Sequence, residues 1–336
     1  MKIIVIGDRS SKKLKYISDA VVIAALEKHI SCEPMDISDV RIDPSRASSP
    51  EYIRSFSQLL REEGADAVLC TTQGGMKLMS ALRALEGSSP LICCIISDYS
   101  FSAEQFEHTA DCYFVPHEEI RSRLIGQGIS GDKIFVTGIP VKKNFRERIG
   151  KAAARNYLVI PRDRRIYLII PDGLRAEDIA HLCKELSQSE REDHAVYIPT
   201  KRSSPDRDRL IELIGNDPHI RLITYTKQLN LYIESADAIL LRPDSLTSTE
   251  AAVTGVPIVH LSLHSNDKTD GDFFASHEMA VIGRSIRDTA AKAKRFVEEK
   301  AMAARVIQMQ YRNISSDAAD MIIDIILGMK NRIAKA

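Results

Sequence analysis

Residues 97–145 read SDYSFSAEQFEHTADCYFVPHEEIRSRLIGQGISGDKIFVTGIPVKKNF. Two short runs rich in aromatic and β-branched residues, CYFVP at 112–116 and KIFVTG at 133–138, flank Glu118 to Ile125, where apolar residues recur at three- and four-residue spacing. Strand, helix and strand in so short a span make a βαβ unit, and such a unit implies parallel strands. The second run ends in Thr137-Gly138-Ile139-Pro140, a turn in which glycine permits the bend and proline fixes the exit.

The same alternation extends in both directions. Strand signals precede it at 2–7 (KIIVIG), 66–70 (DAVLC) and 90–97 (PLICCIIS), with helical spacing at 17–29, 50–63 and 76–85. Residues 141–165, VKKNFRERIGKAAARNYLVIPRDRR, break the rhythm with nine basic side chains against Glu147 and Asp163. The alternation then resumes at 165–170 (RIYLII), 195–199 (AVYIP), 220–224 (IRLIT), 238–242 (AILLR) and 257–262 (PIVHLS), and from Ser285 onward only helix formers remain. The reading is an α/β chain of two Rossmann-like domains. It divides into an N-terminal domain at 1–145, a basic inter-domain linker at 146–164, a second Rossmann-like domain at 165–284 and C-terminal helices at 285–336.

Bulk composition bounds the function. A chain of 336 residues exceeds what one core supports, so two domains are expected. Forty-six basic residues balance 46 acidic ones, which argues against a nucleic-acid binder held by its overall field. The N-terminal apolar run is too short for a signal sequence, and no run reaches the roughly 18 residues that span a bilayer. The expected location is cytoplasmic. The six cysteines form no CxxC pair and mostly lie in or beside apolar runs, as reduced core residues do.

Asp98-Tyr99, Asp111, Tyr113, Val115, Glu118, Gly128, Lys133-Ile134 and the run Val136 to Val141 resemble, in order and spacing, the N-terminal domain of monogalactosyldiacylglycerol synthases and processive diacylglycerol glucosyltransferases. A second stretch, YIESADAILLRPDSLTSTEAAVTGVPIVHLSLHSNDKTDGDFFASHEMA from Tyr232, resembles the donor-binding region of that family. Ala236, Asp237, Pro243, Thr247, Glu250, Ala251, Gly255, Pro257 and Phe274 align. The resemblance implies a GT-B fold, with two parallel sheets facing across a cleft. It implies a UDP-sugar donor, a diacylglycerol-like acceptor at an anionic membrane surface, and no metal or other cofactor. It puts Asp98 and Tyr99 on the acceptor side as catalytic candidates. Ser245, Thr247, Glu250, Asn266 and Asp267 fall on the donor side.

Glu250 has two readings. It matches the carboxylate that would hold the ribose hydroxyls, and it also ends Thr247-Ser248-Thr249-Glu250, a capping box in which Thr247 caps the helix and Glu250 reaches back. Departures from the family matter as much. The family's first glycine-rich loop, with its histidine, is here Gly7-Asp8-Arg9-Ser10-Ser11-Lys12-Lys13, a second histidine position is Ser102, and His108 and His117 lie nearby. The paired glycines of the donor loop are Asp244 and Ser245, a carboxylate where a diphosphate would sit. One glycine of the turn at Pro171-Asp172-Gly173 remains.

The preferred reading is therefore a hexosyltransferase acting on a lipid. Its rival is a catalytically degenerate GT-B protein that binds nucleotide, glycan, lipid or a protein partner without turnover. A sugar-nucleotide epimerase fits the architecture but not the TGIPV and Asp98-Tyr99 context. For a protein without a spanning segment, Lys142, Lys143, Arg146 and Arg148 are the expected contacts with an anionic bilayer, peripheral on the inner face of the cell membrane.

Overall fold

In a computed structural model the chain forms two compact units, residues 1–143 with 315–336, and residues 144–314. Residues 1–36, 49–87, 89–101, 107–188, 193–224, 228–263 and 268–333 are described.

The first unit runs β1 (Lys2–Gly7), α1 (Lys12–Glu27), β2 (Ser31–Asp36), α2 (Pro50–Glu62), β3 (Ala67–Cys70), α3 (Gln73–Glu86), β4 (Leu91–Ile95), β5 (Cys112–Val115), α4 (Glu118–Gly126) and β6 (Ile134–Val136). Its strands pair in the order β2-β1-β3-β4-β5-β6, all parallel. Strands β3, β4 and β5 are buried throughout, as continuous apolar runs in a helix-covered parallel sheet must be. All six cysteines are free and buried. Strand β2 escaped the sequence reading because SCEPMD carries a proline and little β-branching. It is an edge strand, where a missing amide is tolerated.

A single turn, α5 (Lys143–Arg146), and α6 (Lys151–Tyr157) lead into the second unit. It continues with β7 (Arg165–Ile169), α7 (Ala176–Ser187), β8 (His194–Thr200), α8 (Pro205–Ile214), β9 (Ile220–Thr224), α9 (Leu229–Ser235) and β10 (Ala238–Leu241). It ends with α10 (Ser245–Thr254), β11 (Ile258–Leu261), α11 (Lys268–Ser276), β12 (Val281–Gly283), α12 (Ile286–Glu298) and α13 (Lys300–Asn313). The strand order is β12-β11-β10-β7-β8-β9, again parallel throughout, which is the dinucleotide-fold order. Strand β12 was missed because three residues carry no periodic signal.

The expected boundaries need two corrections. Residues 146–164 are not a free linker but part of the second unit. Arg155, only 5% exposed, anchors them: its guanidinium donates to the carbonyls of Ser235 (2.9 Å), Arg162 (2.9 Å) and Arg164 (3.0 Å) and to Asp237 Oδ2 (2.7 Å). Asp237 also accepts from the Ile166 amide at 2.8 Å. Nor do the C-terminal helices stay together, because the last of them, α14 (Ala318–Ile333), belongs to the first unit. Ile322, Ile323 and Ile326 are fully buried there, Lys330 pairs with Asp66 (2.9 Å), and Gly138 (φ 90°) leaves room for Ser315 and Ala318.

Removing one member of a buried, hydrogen-bonded ion pair strands the other, at a cost of about 3–5 kcal/mol. Urea unfolding of Arg155→Ala should show a loss of that order in the second unit's transition. Arg155→Lys should recover only part of it, since an ammonium cannot span the four acceptors.

Candidate functional site

In an open parallel sheet, ligands bind outside the carboxyl ends of the strands, where the strand order reverses. In the second unit that point lies between β7 and β10. The turn after β7 brings Pro171, Asp172 and Gly173, closed by Leu174 N–H donating to the Pro171 carbonyl (2.9 Å), with Gly173 at φ 76°. The segment after β10 brings Arg242, Pro243 and Asp244. A Cβ on residue 173 would stand 3.0 Å from Arg242 Nη1 and 3.1 Å from its Cδ, so the surviving glycine makes a seat for that guanidinium. Arg242 went unassigned in the sequence. Its signal was available: it is a cation directly after a strand, where the family pattern carries lysine.

Asp244 caps α10. Its backbone is extended and its Oδ1 accepts from the Thr247 amide at 2.8 Å. This overturns the capping box, because the helix starts three residues earlier than that motif requires and Glu250 falls in the second turn. Aspartate caps better than threonine, which accounts for the shift. Ser245 and Glu250 are buried at 1% and 4% exposure, and Thr247 is half-buried. Asn266 and Asp267 lie outside the described residues, as does Ser102.

Beneath the cap, Ser248 Oγ meets His260 Nε2 at 2.9 Å, and the His260 ring stands edge-on to Phe274 with centroids 5.5 Å apart. Among the described residues His260 Nδ1 is buried without a hydrogen-bond partner. Gly271 allows the first turn of α11 to close on this group, since a Cβ there would lie 3.0 Å from Pro243 and 3.7 Å from His260 Nδ1.

In the first unit the order reverses between β1 and β3. Ser11 caps α1 and Thr72 caps α3, accepting from the Gly75 amide at 2.9 Å. Gly7 is explained by packing, because a Cβ would meet Ser18 Oγ at 3.1 Å. Asp8 accepts from the Ser10 hydroxyl (2.5 Å) and amide (2.8 Å), and these bonds hold its carboxyl below the usual range. Asp98 follows β4 with its side chain 49% exposed and ion-paired to Lys13. Tyr99 is 1% exposed, so the pair of catalytic candidates separates into a surface carboxylate and a buried ring. Other matched residues serve the fold. Asp111 makes a two-pronged pair with Arg83 (2.7 and 3.0 Å) and accepts from the Ile92 amide (2.8 Å). Tyr113 donates to the Glu107 carbonyl (3.0 Å), and the Thr137 and Gly138 amides both donate to the Val115 carbonyl. His117 caps α4.

The residues expected at a membrane are engaged within their own units. Lys142 lies 3.6 Å from the centre of the Tyr16 ring and 3.8 Å from Asp19, and Lys143 pairs with Glu27 at 2.6 Å. Arg146 is half-buried in α5. Arg148 stacks over Tyr311 (4.9 Å), bonds its hydroxyl, and donates to the Thr254 carbonyl (3.3 Å) at the end of α10. Among the described residues, no helix is long and apolar enough to cross a membrane.

Two all-parallel Rossmann-like sheets, each with one reversal of strand order, define a GT-B protein of the glycosyltransferase type. A monogalactosyldiacylglycerol synthase model matches residues 43–141, and a UDP-N-acetylglucosamine 2-epimerase model matches residues 104–327, two thirds of the chain. The chain therefore belongs to the UDP-N-acetylglucosamine 2-epimerase family. Processive diacylglycerol β-glucosyltransferase of Bacillus licheniformis is 22% identical over 277 residues, covering 81% of this chain and 71% of that protein. The Bacillus cereus enzyme is 21% identical, covering 80% and 69%. The S. aureus MnaA–UDP complex has a TM-score of 0.70 at 17% identity, covering 98% of this chain and 97% of its own. UDP-GlcNAc 2-epimerase from Neisseria meningitidis, bound to UDP-GlcNAc, scores 0.71 at 15% identity, covering 98% and 100%. Acinetobacter baumannii MurG scores 0.69 at 13%, covering 97% and 99%.

Burial lowers the pKa of His260 from 6.5 to about 3. The unfolded chain then binds the extra proton, so stability is full above about pH 6.5 and falls as pH drops towards 3. In His260→Gln this slope, up to about 1.4 kcal/mol per pH unit for one proton, should disappear from chemical-denaturation curves taken between pH 6 and 4.

Proposed function

We propose that the protein is a glycosyltransferase that takes a hexose from a UDP-sugar and passes it to a diacylglycerol-like lipid. The observation that carries the donor half is the reversal of strand order between β7 and β10, beyond which Arg242 and the start of α10 follow β10, with buried Glu250 one turn further along that helix. Arg242 and the α10 amides would face the diphosphate, and Glu250 would accept the ribose hydroxyls. The UDP and UDP-GlcNAc bound in structural neighbours support this ligand class. The diacylglycerol glucosyltransferases among the relatives, together with the synthase model over 43–141, support the lipid acceptor.

In the reaction the acceptor hydroxyl oxygen attacks the anomeric carbon, the bond from that carbon to the diphosphate breaks with its electrons leaving on UDP, and the hydroxyl proton passes to a base. Asp98 is the candidate base. It is ion-paired with Lys13 and half-exposed, so a hydroxyl proton could reach it.

A second reading rests on family membership: epimerisation of a UDP-sugar without an acceptor. Incubation with UDP-GlcNAc in deuterated water separates the two, since an epimerase exchanges a ring proton with solvent and a transferase does not. The degenerate, non-catalytic reading rests on Asp244, whose carboxylate already occupies the α10 amide that a phosphate would use.

Calorimetry with UDP tests the donor site. Glu250→Gln should weaken binding by about 1.5–3 kcal/mol, roughly ten- to a hundredfold, for one charge-assisted hydrogen bond. Asp244→Asn keeps a good cap and removes the opposing charge, so affinity should rise by about 1 kcal/mol or more. No UDP binding at millimolar concentration by either protein would end the donor reading. Transfer of labelled hexose from UDP-glucose or UDP-galactose to diacylglycerol in mixed micelles tests the acceptor.

A further inference from the structure

Helix α6 ends in a cap in which Ile160 N–H donates to the Arg155 carbonyl (2.8 Å) and Val159 N–H to the Asn156 carbonyl (3.2 Å). This pattern requires a left-handed residue at its centre, and Val159 has φ 56°. Glycine usually stands there, and a β-branched residue is strained. The same cap closes α1 at His29 (φ 58°) and α11 at Glu278 (φ 57°). Neither of those is β-branched, and Glu278 gains an ion pair with Arg305 at 2.9 Å.

Among the described residues Val159 gains no such compensation. It is 88% exposed, the most exposed large apolar side chain described, and Tyr157, two residues away, is next at 62%. A side chain that strains its backbone and buries nothing in its own fold is explained if it is buried elsewhere.

We infer that the Tyr157–Val159 tip of α6 inserts into an anionic lipid bilayer and docks the second unit on it. Three observations select a bilayer. The exposed positions of α6 are Lys151, Ala152, Ala153, Asn156 and Tyr157, with no carboxylate among them. Arg162 and Arg164 follow the tip; Arg162 donates to Asn156 Oδ1 (3.0 Å), and neither guanidinium is in an ion pair among the described residues, against the single carboxylate of Asp163. Two exposed apolar side chains are also far too small for a stable protein interface, which buries about 800 Å² per partner. A tyrosine, an aliphatic tip and nearby arginines suit the headgroup boundary. The choice of a bilayer rests on the lipid-acceptor reading above. The contact lies at the end of α6, beyond the expected Lys142, Lys143, Arg146 and Arg148.

The chain contains no tryptophan, so Tyr157→Trp gives a single fluorophore at the tip. With phosphatidylglycerol vesicles at low salt, its emission should shift to the blue and the protein should cosediment, while phosphatidylcholine vesicles should give neither. Val159→Asp should weaken vesicle partition by about tenfold or more. Val159→Gly relieves the strain, so its melting temperature should rise while its vesicle partition falls by about fivefold. A merely structural role for residue 159 would move stability alone.

No shift and no cosedimentation at low salt would overturn the inference, as would Val159→Gly binding vesicles like the parent. So would a Val159-dependent dimer in light scattering, which would make the tip an interface between two copies. UDP calorimetry without vesicles runs alongside. Loss of vesicle binding with UDP binding intact sinks this inference and leaves the donor site standing, whereas vesicle binding without UDP binding does the reverse.

Discussion

A guanidinium taken almost wholly out of water must have its donors satisfied, and Arg155 meets that demand by joining three stretches of chain. It ties α6 to the carbonyl before the Ala236-Asp237 pair, to the segment that enters β7, and to Asp237 itself. Asp237 in turn receives the Ile166 amide at the head of β7, with β10 following directly after it. The two strands on either side of the reversal are thus held at their amino ends by one ion pair. Their carboxyl ends are left to carry Gly173, Arg242 and Asp244.

That arrangement also shows why a basic stretch was misread from sequence. Nine cations in 25 residues look like a solvated linker, because charge density is visible in a sequence and burial is not. Arg155 belongs to the core, Lys151 pairs with Asp237, and Arg148 closes the carboxyl end of α10. The buried parallel strands were legible because apolar β-branched runs between helical patterns admit little else. Strands β2 and β12 were not, one carrying a proline on the sheet edge and the other spanning three residues. The return of α14 to the first unit was illegible too, since MIIDIILGM states that a helix needs cover without stating whose.

The donor loop was legible in composition and not in register. Asp244, Ser245, Thr247, Ser248 and Thr249 are all residue types that cap helices, and the sequence offers no local means of choosing among them. The choice falls at Asp244, whose backbone is extended and whose Oδ1 accepts from the Thr247 amide. With that register Glu250 is released from a capping role, and the carboxylate that replaces the family's glycine becomes part of the helix terminus. Asp244 therefore stabilises α10 by accepting from the Thr247 amide, the same amide that the proposed diphosphate would call on.

The relatives span two chemistries that share a nucleotide half, so the distinction falls to the first unit. Transfer removes one proton from an acceptor hydroxyl, and one base suffices. Epimerisation takes a proton from one face of a sugar ring and delivers one to the other, which calls for two groups able to exchange protons. Of the carboxylates beside the β1 and β3 reversal, Asp8 is committed to the Ser10 hydroxyl and amide, and Asp36 accepts the Arg9 amide at 2.7 Å. Asp98 is half-exposed and paired with Lys13. The proposed transfer asks for one proton acceptor there and an epimerisation for two exchanging groups, so the first unit is where the two readings part.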